Sequence, residues 1–187
     1  MRSDAMRNRE ALVTAAATVL ADAGLDASVA EIAASAGVAK GTVFRHFATK
    51  EDLVAVVVAR HVEGLAERAE ELLSEQDPME ALSAFVAAGT ELQARDRAFC
   101  QVAATAELTV PGLVERRERL EEIADLLARR ARDAGQARSG LTGRDVIGLM
   151  TAAYQGACAA GDPERWPYFQ KILLAGLRTI DEASPDA

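Results

Sequence analysis

Four cationic or protonatable side chains, Lys40, Arg45, His46 and Lys50, fall within eleven residues, with hydroxyls nearby at Ser28 and Thr42. Cations and hydroxyls at that density suit phosphate oxygens, and an Arg or Lys can also read guanine O6 and N7. Nothing comparable is present for covalent or acid–base chemistry. The chain has two histidines, His46 and His61. It shows no HExxH, Walker loop, nucleophile elbow or paired-cysteine metal motif. Carboxylates are plentiful, but they fall on solvated helix faces. Cys100 and Cys158 stand alone, without metal-ligand spacing. They read as reduced thiols, with a redox sensor as the alternative. No catalytic residue, metal or cofactor is expected.

The elements that must position the cations lie between Ser28 and Leu53, SVAEIAASAGVAKGTVFRHFATKEDL. Ser28 and Glu31 form a capping-box pattern: the serine hydroxyl caps a helix and the glutamate reaches back. Val29, Ile32, Ala33 and Ala36 then share one helical face. Gly37 suits the left-handed residue that closes a helix. A second short helix is predicted over Lys40 to His46, and Thr49 to Asp52 open a third. Two short helices across a glycine-containing turn make a helix-turn-helix, whose second helix enters the DNA major groove.

Around this stretch the chain reads as all-α, with about nine helices in total. Aromatics are only 4% of the residues and no sustained alternation of β-branched residues occurs. Met1 to Ala5 reads as a disordered leader and Arg7 to Ala23 as a helix. Leu12, Leu20, Leu25, Val29, Ile32, Val43, Phe47 and Leu53 are the expected core of an N-terminal three-helix domain. A long helix from Lys50 to about Glu75 links it to the C-terminal helices. Those are predicted from Asp77-Pro78 to Gln93, Asp96 to Leu108, Leu113 to Ala134 and Asp145 to Ala160, the last capped by Thr142. A final helix carries Trp166 to Ile180, with Pro167 in its first turn. The tail from Ser184 should fray.

The net charge is −8, which by itself disfavours a nucleic-acid binder. Its distribution does not: residues 1–50 hold six Lys or Arg against five acids, so they are +1 and the other 137 residues carry −9. Non-specific DNA affinity should be weak and salt-sensitive. Neither a signal peptide nor an apolar run of membrane-spanning length is seen, so a cytoplasmic protein with no membrane partner is expected.

Arg9 to Leu53 resembles the N-terminal domain of the tetracycline-repressor-like (TetR-type) transcriptional regulators. The likeness rests on LVTAA and GLDASVAEIA, then AGVAKGTVFRHF, then TKEDL, in that order and spacing. The closing RWPYFQKILLAGLR resembles the last helix of one actinobacterial-type subgroup. The resemblance implies a DNA-binding domain over residues 1–49 and a ligand-binding and dimerisation helical bundle over 50–187. It implies a homodimer that binds a palindromic double-stranded operator and represses transcription until a small-molecule effector releases it. Carried over, Lys40, Gly41 and Thr42 start the recognition helix and face the groove. Arg45, His46 and Lys50 fall where the family grips phosphates, and Ser28 is a further phosphate-side position. Phe44 stands where tyrosine is common and Ala39 where serine is common, so two hydroxyl contacts are lost.

Candidate effector contacts are His61, Glu91, Phe99, Gln101, Met150, Tyr154 and Trp166; for Met150 a core role is the stronger reading. Ala152, Ala153, Gly156, Ala157 and Ala160, with Leu173, Gly176, Leu177 and Ile180, give the last two helices a surface suited to dimerisation. The same stripes could instead pack inside one subunit. Effector binding beside the long helix is expected to tilt it and change the separation of the recognition helices. An alternative reading is a helical ligand- or protein-binding module that does not touch DNA, and a further one is a helical enzyme.

Overall fold

The structure is a computed structural model that describes residues 2–105 and 111–178. Among these, nine α-helices and two short 3-10 turns account for the regular structure. They are α1 (Arg2–Ala23), α2 (Val29–Ser35), α3 (Lys40–His46), α4 (Lys50–Leu72), α5 (Pro78–Arg95), α6 (Arg97–Thr105), α7 (Pro111–Asp133), α8 (Gly143–Ala159) and α9 (Trp166–Leu177). The 3-10 turns are Gly24–Asp26 and Pro163–Arg165. The all-α expectation is met. The expected leader is not: α1 is helical from Arg2. No glycine or proline stands between Arg2 and Arg7 to stop a helix from growing backwards. The expected end of α6 at Leu108, Ile180 on the last helix and the tail from Ser184 lie outside the described residues.

The chain divides into two compact units. The first comprises the chain up to Gly64 together with Leu92–Arg117. Its core contains Leu12, Leu20, Ile32, Val43, Phe47 and Leu53, all below 5% exposed. Leu25 departs from the expected core and is only half-buried. It sits in the 3-10 turn after Gly24, where its backbone N–H and carbonyl are both engaged by distant side chains.

The second unit comprises Leu65–Glu91 and the chain from Glu118 onward. Leu82 and Phe85 of α5, Leu127 of α7 and Met150 of α8 are among its buried side chains. Local chemistry sets its helix ends. Asp77 accepts from the backbone N–H of Met79 and Glu80 at 2.9 and 3.0 Å, capping α5 just ahead of Pro78. Thr142 and Asp145 form a reciprocal capping box on α8. At the end of α4, the Leu72 carbonyl accepts from the Glu75 N–H at 3.1 Å, and Arg130 donates to the carbonyls of Leu72 and Glu75. Pro167 falls in the first turn of α9, where a missing N–H costs nothing.

The small-residue stripe of α8 resolves into two sets. Ala153 and Ala157 are fully buried within the chain, and Leu177 of α9 is buried too. A Cβ on Gly156 would lie 3.0 Å from the Phe169 ring of α9. Gly156 thus lets the Phe169 ring of α9 approach α8, and since Ala153, Ala157 and Leu177 are buried within one subunit, the internal-packing alternative holds for these four residues. Ala152, Ala160 and Gly176 are exposed.

Gly143 marks the tightest helix approach in this unit. A Cβ there would sit 2.5 Å from the Asp125 backbone nitrogen and would also strike the Glu121 carbonyl of α7. Asp125 fixes the same junction by accepting from the Gly143 N–H at 3.1 Å. Backbone cannot swing aside, whereas a Cβ on Gly89 would meet the flexible end of Met150. Gly143→Ala should therefore destabilise the fold by about 1–3 kcal/mol, and Gly89→Ala by less, measured as urea midpoints at unchanged m-value.

Candidate nucleic-acid interface

Ser28 starts the interface. Its Oγ accepts from the Glu31 N–H at 3.2 Å, and Glu31 accepts from the Ser28 N–H at 2.7 Å. Hydrogen bonds from the Ser28 backbone N–H and then from its hydroxyl hold the Glu31 carboxyl below its ordinary range. The stability they contribute is full above the ordinary value of 4.5 and is lost as the pH falls below it. Gly37, at φ +67°, closes α2. The Gly37 N–H donates to Ala34 and the Val38 N–H to Ala33, the paired bonds of a Schellman motif. Residues 36–39 are the whole turn before α3 begins at Lys40. The turn is tight because glycine adopts the left-handed conformation without a Cβ penalty.

α3 has two turns and two faces. Val43 and, just after the helix, Phe47 point inward and are buried. The Arg9 guanidinium of α1 lies 4.9 Å from the centre of the Phe47 ring. Ala39 supplies no side-chain cap, so packing through Val43 and Phe47 carries most of this helix's stability. Lys40, Gly41, Phe44 and Arg45 are exposed on the outward side, while Thr42 and His46 are half-buried. The Lys40 ammonium stands 5.9 Å from the Phe44 ring centre. Arg45 and His46 also complement the negative end of the helix dipole. Thr49 and Asp52 then exchange two 3.0 Å hydrogen bonds and start α4.

Lys50 is the exception among the expected phosphate contacts. It is half-buried, and its Nζ donates to the Leu25 carbonyl at 2.5 Å. The Leu25 N–H donates to Gln101 Oε1 at 2.7 Å. Gly24, buried at φ +66°, makes this possible, because a Cβ there would lie 2.9 Å from Arg97 and also strike Gln101. Arg97 in turn stands 3.6 Å from Asp26. The turn between α1 and α2 is thus held by α4 through Lys50 and by α6 through Gln101. Sequence reasoning missed this arrangement, because it placed Leu25 in the core; the one local signal was the glycine that ends α1.

The expected effector contacts are not gathered together. Gln101 has its structural task at Leu25. Met150 is 2% exposed and fills the notch at Gly89, as its core reading holds. His61 and Phe99 do meet, edge to face, with centroids 5.9 Å apart. Asp96 is buried; one oxygen caps α6 by accepting from the Phe99 N–H at 2.7 Å. Its other oxygen lies 3.0 Å from His61 Nε2, yet that nitrogen is buried without an aligned hydrogen bond. The contact is close enough for an ion pair when His61 is protonated but is poorly directed as a hydrogen bond. Glu91, Tyr154 and Trp166 are half-buried in the second unit. An open cleft of about 820 Å³ in that unit contains none of them. Its walls include the pairs Arg129–Asp125 and Arg144–Glu121. Cys100 is buried, Cys158 half-buried, and neither forms a disulfide.

A capped helix, a Schellman turn and a second helix with a cationic outer face define a helix-turn-helix protein of the DNA-binding type. Residues 12–57 match the profile of the bacterial regulatory proteins of the tetR family. Residues 77–179 match the C-terminal domain of SbtR-like transcriptional regulators. The chain belongs to the TetR family of transcriptional regulators. It is 36% identical over 85 residues to the HTH-type transcriptional repressor KstR2 of Mycolicibacterium smegmatis. That match covers 44% of this chain and 42% of the relative, so the chain spans under half the length of that relative. A TetR transcriptional regulator of Streptomyces coelicolor has a similar structure at 25% identity, with a TM-score of 0.65 over 91% of this chain and 98% of its own. A TetR regulatory protein of Mycobacterium vanbaalenii aligns with a TM-score of 0.63 at 28% identity over 95% and 99% of the two chains.

Replacing Gln101 by alanine leaves the Leu25 N–H without its partner. We expect a loss of about 1–2 kcal/mol in stability and faster hydrogen exchange at the Leu25 amide. Gln101→Glu keeps an acceptor and should restore most of that protection.

Proposed function

We propose that the chain is a ligand-responsive transcriptional repressor that binds a palindromic operator as a homodimer and is released by a small molecule. The observation that carries this reading is the outer face of α3: Lys40, Gly41, Phe44 and Arg45 exposed, Thr42 and His46 partly so. Ser28 adds a hydroxyl at the start of α2. Its oxygen accepts from the Glu31 N–H while its proton is shared with the Glu31 carboxyl, so a phosphate would compete with that carboxyl for the hydroxyl. Lys50 contributes mainly by fixing the turn, with further ammonium protons to offer. Residues 1–49 serve DNA and 50–187 serve the effector and the dimer, a division supported by the two family matches at 12–57 and 77–179. DNA is the cytoplasmic partner, and no described helix is long and apolar enough to cross a membrane.

His61 and Phe99 are the effector contacts best supported within one unit. The buried His61 Nε2 lacks an aligned partner, and an effector's polar group would supply one beside an aromatic edge. Glu91, Tyr154 and Trp166 rest on the family relationship. α4 is one unbroken helix from Lys50 to Leu72, which supports a tilt as the means of release. The effector can drive that tilt only by its differential affinity for the two states.

The dimer surface we assign to the exposed side of α8 and α9. Tyr168 and Ile172 are 55% and 53% exposed, four residues apart on α9. Ala152, Ala160 and Gly176 add small exposed positions. Two recognition helices must reach half-sites about 34–36 Å apart, which a single chain cannot do.

Selection of bound duplexes from a random library tests the DNA reading, and a palindromic consensus tests the dimer with it. Lys40→Ala and Arg45→Ala should each weaken operator binding at least tenfold. A lost phosphate contact should also reduce the salt slope of log K by about 0.9. Absence of any enriched duplex would leave a helical binding module as the function. Tyr168→Asp with Ile172→Asp should halve the mass measured by light scattering and abolish tight operator binding while leaving the helical circular dichroism intact. A variant that stays dimeric would refute this interface.

A further inference from the structure

We propose that Phe44 is a specificity determinant that reads the 5-methyl group of a thymine in the major groove of the operator. This rests on the DNA-binding reading and adds what α3 selects. Phe44 is 45% exposed, while its neighbours Val43 and Phe47 are buried at 2% and 4%. The core therefore does not need this ring. It carries no hydroxyl, so against a phosphate it would displace water and return no hydrogen bond. On the base edges of the major groove, the apolar feature available to an aromatic ring is the thymine methyl.

The neighbours of Phe44 fit that task. Gly41 lies three residues earlier, on the same side of the helix. A Cβ placed on it would meet nothing within 4 Å, so bare backbone flanks the ring and a base edge can come close. Lys40, four residues before Phe44, holds its ammonium 5.9 Å from the ring centre. A cation that reaches guanine acceptors or a phosphate thus stands beside the apolar reader, and exposed Arg45 follows it. The loss of a hydroxyl at this position exchanges a phosphate contact, which positions, for a base contact, which specifies.

The test uses duplexes selected by the wild-type chain from a random library. Each thymine of the consensus is replaced in turn by deoxyuridine, which lacks only the methyl group. At one thymine in each half-site the replacement should weaken wild-type binding about fourfold, the value of one buried methyl-sized group. Phe44→Ala should bind the two duplexes equally, and Phe44→Leu should discriminate between them less than wild type does. Phe44→Leu carries the test alone if Phe44→Ala fails to fold. Wild type insensitive at every thymine, or Phe44→Ala as sensitive as wild type, overturns the proposal. So does a change of oligomeric mass in Phe44→Ala, which would place the ring against a second copy of the chain. If wild type enriches no duplex at all, the DNA-binding reading falls and this contact falls with it.

Discussion

The Leu25 peptide is gripped on both sides, its N–H by Gln101 of α6 and its carbonyl by Lys50 at the start of α4. Seventy-six residues separate Leu25 from Gln101, so this is a tertiary constraint on a three-residue turn. Hydrogen bonds to a charged donor such as the Lys50 ammonium contribute about 1.5–3 kcal/mol, more than a neutral pair. What the grip controls is the exit of the chain from α1 into α2, and through the Schellman turn the placement of α3. The same contact draws Lys50 away from a purely solvent-facing role. A residue type that suits phosphate is used here first to hold the scaffold that presents the other cations.

DNA recognition by a chain of net charge −8 has to be local. Attraction from the net charge is unavailable, so DNA affinity cannot rest on the overall field of the chain. Ala39 and Phe44 carry no hydroxyl. Without a capping side chain at Ala39, α3 depends on Val43, on Phe47 and on the guanidinium of Arg9 over that ring.

In the second unit the small residues do two jobs that composition alone cannot separate. Gly156 lets the Phe169 ring of α9 lie close on α8, and Ala153 and Ala157 are buried within the chain. Tyr168, one residue earlier, stays in solvent with the Arg165 guanidinium 5.0 Å from its ring centre. Adjacent aromatics on one helix point to different surroundings because successive residues are about 100° apart around its axis. Exposure, and not residue type, distinguishes the half-buried Phe169 ring from the exposed Tyr168 ring.

Much of this was legible in the sequence wherever cause and effect lie within four or five residues. The Ser28–Glu31 and Thr142–Asp145 capping boxes, the Gly37 stop, the Asp77-Pro78 start and Pro167 in a first turn are all of that kind. Val43 and Phe47 were legible as core positions in and just after α3, whereas the outward placing of Lys40 and Arg45 came with the family resemblance and Phe44 could equally have read as core. Tertiary structure decided the rest, because a polar side chain does not encode its partner when that partner is distant in the chain. Gln101 read as an effector contact and became the holder of Leu25; Lys50 read as a phosphate contact and became its second holder. Met150 and Gly156 found their roles only once a notch at Gly89 and a ring at Phe169 were brought against them. Leu25 itself read as core from its hydrophobicity, yet its side chain is only half-buried and it is its peptide group that the fold uses.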